Sequence, residues 1–284
     1  MFTGHIVQRE VSSSIILFDA IAVIIWVSCL VYNKQKRALY FCAIGFVVYY
    51  LVDGVLWLAI MKTREISPNS HQYLLEIWLQ LGPGIIHPSF VCMMLEGTFG
   101  PQRHTIRKEF WILLFMLVQF TPAFMQKSIK GSFTIFVSRT MDSQRWLFIL
   151  IALLSYLFLV YKNVTVKNMW KIFFICAGVE TCFEFSLFLS DIRNASLKTI
   201  LIDCVLEFNV GAALVLYLWR GMFPENERQS IDDVLTDVTD DKLIYRCFFD
   251  TTTTRGRIVG PTPRFERKER CSCSPTPIWM LCFI

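Results

Sequence analysis

Seven stretches of this chain are apolar over lengths close to that of a bilayer core, and several carry carboxylates in their interiors. Crossing the core takes ~20 apolar residues as a helix. The runs are Ser14–Tyr32, Ala38–Met61, Tyr73–Gly97, Phe110–Gln126, Trp146–Tyr161, Trp170–Ser190 and Thr199–Trp219. Backbone groups in lipid must be satisfied within the chain, so the runs predict helices. The alternating pattern of a membrane barrel is absent. The expected fold is therefore an all-α polytopic membrane protein with seven transmembrane helices. Composition agrees, since 18% of the 284 residues are charged against about a quarter in a soluble domain.

Residues 1–13 read as a short amino-terminal segment, 14–222 as the transmembrane domain and 223–284 as a polar, disordered tail. The first run is long and no small-residue cleavage site follows it, so a removed signal peptide is not expected. Ten cysteines are scattered along the chain, which is not the framework of a disulfide-bonded secreted domain. Lys34, Lys36 and Arg37 after the first run, with Arg220 and Arg228 after the last, place the amino terminus outside or in a lumen. The segment Gln126–Arg145 reads as an interfacial hairpin or lid. Asp53-Gly-Val-Leu-Trp-Leu also echoes Glu184-Phe-Ser-Leu-Phe-Leu at an offset of 131, and the same offset maps Glu76 onto Glu207. Runs one to three and five to seven thus read as two related units joined by the fourth.

The acids carry the chemistry. Glu180 and Glu184 lie one helical turn apart, as do Asp203 and Glu207, so each pair shares a helix face. An acid in a span costs roughly 2.5–3.5 kcal/mol and usually faces a bundle interior or a cavity. With alternating spans, Asp19, Asp53, Glu76, Glu180, Glu184, Asp203 and Glu207 all fall toward one mouth. No Lys, Arg or His is expected at matching depth. Like charges so close in low dielectric do not all ionise, and a neutral buried carboxyl is a competent proton donor. Tyr49, Asp53 and Trp57 at spacing four set an acid between two aromatics, with Trp78 nearby. Gly82-Pro83-Gly84 and His87-Pro88 interrupt helical hydrogen bonding in the third run, which suits a kinked or unwound segment lining a cavity.

Three function classes fit such acids. One is an enzyme that protonates a lipophilic substrate within the bilayer, with aromatic faces steadying the cation formed. Another is a proton- or cation-coupled small-molecule transporter. The third, a seven-helix receptor or light-driven protein, lacks its marks: no Asp-Arg-Tyr follows the third run, and the last run has no interior Lys.

An acid late in the second run, Asp53, and an acid early in the seventh, Asp203, resemble the layout of the fungal membrane-integral terpene cyclases of meroterpenoid and indole-diterpene pathways. That family commonly has Trp-Glu in span two, where this chain has Asp53-Gly54 with Trp57 a turn later. The resemblance implies cofactor-free, metal-independent cyclisation of a prenylated lipophilic substrate or its epoxide. It also implies an endomembrane location such as the endoplasmic reticulum. One carboxylic acid would protonate the epoxide or alkene, and a second would orient the first or accept the final proton. Asp53, Asp203, Glu184 and Glu207 are the candidate catalytic acids, with Tyr49, Trp57, Glu76, Trp78 and Glu180 as substrate-lining residues. No nucleic-acid partner is expected.

Overall fold

The computed structural model describes residues 6–140, 142–194, 203–206 and 208–236. Six helices are long and apolar enough to cross a membrane: α1 Ser14–Tyr32, α2 Lys36–Ile60, α3 Asn69–Phe99, α4 Lys108–Ser128, α6 Val166–Leu189 and α7 Asp203–Gly221. Between α4 and α6 lies α5, Asp142–Tyr161, whose apolar part, Trp146–Tyr161, is shorter than those six. The chain is thus mostly helical, with six candidate spans where seven were expected.

The expectation of an all-α fold needs correcting. Among the described residues a four-stranded antiparallel sheet is formed by β1 Ile6–Ser12, β2 Arg64–Ser67, β3 Thr134–Thr140 and β4 Arg193–Asn194, in the order β2-β3-β1-β4. The strands precede α1, α3 and α5 and follow α2, α4 and α6, so they gather at one end of an alternating bundle. Their residues alternate as a sheet with one wet face should. Val11, Arg64, Ile66, Ile135, Val137 and Arg193 are buried, whereas Gln8, Glu10, Glu65, Ser67 and Phe136 are exposed. The predicted hairpin or lid in Gln126–Arg145 contributes β3, a central strand.

α3 is the axis of the bundle. Its apolar window is 67% buried, against 22% for α2. It remains helical through Pro83 and Pro88, so of the kinked or unwound segment expected there the unwound form is absent. Small residues bring α2 and α3 together: a Cβ at Gly84 would meet Cα of Phe46 at 2.9 Å, and one at Gly45 would meet the Gly84 carbonyl at 2.5 Å. Such close approach is typical of helix contacts in lipid. Around α3 the core stacks Phe90 on Phe115 at 4.0 Å, and the Trp26 indole donates to Ser89 Oγ at 2.8 Å.

At the end opposite the sheet, Arg37 bonds Glu96 at 2.5 Å and lies 3.8 Å over the Phe223 ring. The tail expected to be disordered from 223 begins instead with a helix, α8, Glu225–Thr236. Ile231 and Leu235 of α8 are buried, and Asn168 donates to the carbonyls of Val234 and Leu235. The Leu235 carbonyl also accepts from the Thr165 N–H at 3.0 Å, so this helix end, whose last carbonyls have no partner within the helix, is satisfied from the start of α6. The rest of the predicted tail lies outside the described residues.

Candidate functional site

Each strand sends one arginine toward the helices: Arg9, Arg64, Arg139 and Arg193. In register, Arg9 faces Arg193 and Arg64 faces Arg139. Like charges directly opposite destabilise a sheet, and here helix carboxylates offset them. Arg64 bonds Glu76 at 3.0 Å and reaches Asp53 at 3.4 Å. Gln80 donates to both acids, at 2.8 Å to Asp53 and 2.5 Å to Glu76. Arg193 pairs with Glu184 and bonds Asp203 at 2.6 Å, while Arg9 bonds Glu184 at 3.0 Å. Arg139 lies 5.1 Å over the Trp57 ring. The expectation that no cation lies at the depth of the acids is therefore wrong. The cations come from strands that cap the bundle mouth, not from the spans.

The two ion-pair groups repeat one plan. In the first, an acid of α2, the arginine of the next strand and an acid of α3 meet as Asp53, Arg64 and Glu76. In the second, α6, β4 and α7 supply Glu184, Arg193 and Asp203. Exchanging β1 with β3 and β2 with β4 leaves the strand order unchanged in reverse. The register follows: Arg9 pairs with Val137 as Arg139 pairs with Val7, and Gln8 pairs with Ser138.

Beneath the sheet lies a cavity of about 100 Å³, lined by Asp19, Asp53, Tyr49, Gln80, Gln119, Glu180 and Phe183 among others. Gly82 and Pro83 of α3 form part of its wall. The Tyr49 hydroxyl stands 3.2 Å from Nδ1 of His87, a buried ring packed edge-on to Phe115 and Phe183. Arg9 lies 5.3 Å over the Phe183 ring. Asp19 differs from its neighbours: among the described residues its carboxyl makes no hydrogen bond or ion pair.

The predicted site residues thus divide. Asp53, Tyr49 and Glu180 line the cavity. Glu76 and Glu184 are fully buried in ion pairs, and Asp203 is paired beside Glu184. None of these three lines the cavity. Trp57 does not line the cavity and is packed against Phe148 and Arg139; residues 50–60 around it form a π-helix. Trp78 is half-exposed on the outside of α3. Glu207 lies outside the described residues. The sequence reading missed Arg9, Arg64, Arg139, Arg193, Gln80 and Gln119. For the arginines a signal was present, in the alternation of Arg64 with Ile66 and of Ile135 and Val137 with Arg139. Among the described residues no three His, Cys, Asp or Glu side chains converge as metal ligands. Comparisons with family models, with curated proteins and with solved structures give no match to this chain.

Proposed function

We propose that the protein is a membrane-bound terpene cyclase in which an intramembrane carboxylic acid protonates a prenylated, lipophilic substrate. The reading is carried by one observation: Asp19, Asp53 and Glu180 meet Tyr49 and Phe183 around a single cavity of the bundle. Protonating an alkene or epoxide requires an acid sheltered from water. The cation that follows requires nearby negative charge and aromatic faces. The carboxylate of Asp53, held by Arg64 and Gln80, and the rings of Tyr49 and Phe183 meet those needs. At about 100 Å³ the cavity is smaller than the ~300–1,000 Å³ of sites that enclose a whole ligand. It suits the reacting end of an isoprenoid chain, with the remainder lying between lipid-facing helices. In this reading α5 completes a seventh crossing, and the enzyme acts in an endomembrane such as the endoplasmic reticulum.

The experiment is product analysis of membranes carrying the protein, supplied with farnesylated aromatic compounds and their epoxides. The expected product is a cyclic isomer of unchanged mass, formed equally in detergent and in the presence of a chelator. Recovery of the substrates unchanged, together with uptake into vesicles driven by a pH gradient, would replace the cyclase by a proton-coupled transporter.

A further inference from the structure

We infer that Asp19 carries the transferable proton of the cavity. The inference takes its substrate from the cyclase reading above and its proton from the geometry alone. The acids of the two repeated groups are tied to arginines, and each group has its counterpart in the other half of the chain. Asp19 belongs to neither. By the register that relates β1 to β3, its corresponding place on α5 is held by Ile149. A carboxyl outside the repeated scaffold is free to serve chemistry.

Among the described residues its surroundings supply it no bonded cation. α1 packs on α2, α3 and α4. The charged or titratable groups that line the cavity with Asp19 from the helices are Asp53 and Tyr49 of α2 and Glu180 of α6; α3 and α4 add the uncharged Gln80 and Gln119. Three strand arginines also line the cavity and each is engaged: Arg9 bonds Glu184, Arg64 bonds Glu76 and reaches Asp53, and Arg139 lies over the Trp57 ring. The carboxyl of Asp19 rests instead against Gly82, whose added Cβ would lie 3.6 Å from its Cγ. Next to Gly82, Pro83 has no N–H to give the carbonyl of Leu79, and both residues line the cavity. That segment of wall therefore offers an acceptor, which suits an acid O–H and not a carboxylate.

The step balances as an isomerisation. The O–H bond of Asp19 breaks, and its electron pair stays on the carboxylate. A C–H bond forms with the π pair of a terminal alkene and leaves a tertiary cation. With an epoxide the proton goes to oxygen, the C–O bond opens, and a hydroxyl remains. The π pair of the next double bond closes the ring. The carbon beside the last cation then gives its proton to the Asp19 carboxylate, which forms the product alkene and restores the acid.

Labelling of the full-length protein in membranes by a hydrophobic carbodiimide, which reacts with protonated carboxyls in lipid, tests this. The adduct, mapped by mass spectrometry, is expected on Asp19 and absent from Asp53 and Glu76. Asp19→Asn should lose it and lower cyclic product formation by roughly 10²–10⁴-fold, while Asp19→Glu should keep the adduct and part of the turnover. Labelling of the wild-type chain decides the matter even if Asp19→Asn fails to fold. An adduct on Asp53 or Glu180 with none on Asp19 overturns the inference. An Asp19 adduct without any cyclic product supports it and overturns the cyclase reading.

Discussion

Arg193 shows how a single side chain can govern the outer end of the bundle. Only 2% of its side chain is exposed, and it holds Glu184 and Asp203 from two helices. Removing one member of a buried ion pair typically costs about 3–5 kcal/mol, because a charge is left uncompensated. Arg193→Met should therefore lower the unfolding temperature in detergent markedly. Combining it with Glu184→Gln and Asp203→Asn should recover most of the loss; no recovery would mean that the three do not act as a unit. Asp53, Glu76, Glu184 and Asp203 were legible in the sequence because charge inside an apolar run is conspicuous. Their arginines were not, because residues between runs read as surface. A strand folding back over the bundle mouth brings Arg64 and Arg193 down to the level of Asp53 and Glu184.

At the scale of elements, the apolar runs gave the helices, and physical details inside them decided what faces the cavity. On α2, Tyr49 and Asp53 line the cavity while Trp57, a turn further on, packs against Phe148 and Arg139. The spacing of these residues in the sequence carries no sign of that division. The glycines of α2 and α3 are a plainer case. A methyl at Gly84 has only 2.9 Å to backbone Cα of Phe46, and backbone yields less readily than a flexible side chain. Overpacking of this kind typically costs about 1–3 kcal/mol. Gly84→Ala should lower the thermal midpoint, whereas Gly178→Ala, with open space around the new Cβ, should leave it nearly unchanged. Equal effects would show that the α2–α3 crossing relaxes.

For the whole molecule, the sheet register and the paired ion groups are alike in the two halves, but not by the residues of the sequence echo: the place of Glu76 is taken in the second group by Asp203, while Glu207 lies outside the described residues. Basic residues lie at both ends, Lys62, Lys127 and Lys130 with the strand arginines at the sheet end and Lys34, Lys36, Arg37, Arg103, Arg107 and Lys108 at the other. The cluster Lys34–Arg37 after α1 predicts that the end away from the sheet faces the cytosol. A glycosylation tag fused ahead of residue 1 should then be modified, and a tag inserted in the turn at Asn33–Gln35 should not; the reverse pattern would invert the protein. The strand order has a mechanical consequence. β3 of the second half lies between β1 and β2 of the first, and β1 lies between β3 and β4. The halves are laced together across one face by the seven register pairs of β1 with β3, and by β2 with β3 and β1 with β4 besides. A rocking motion that parted the halves on that side would have to unzip every ladder of the sheet. Passage to the cavity that spares the lacing runs sideways, between helices and out of the lipid, the route by which an oily molecule would arrive.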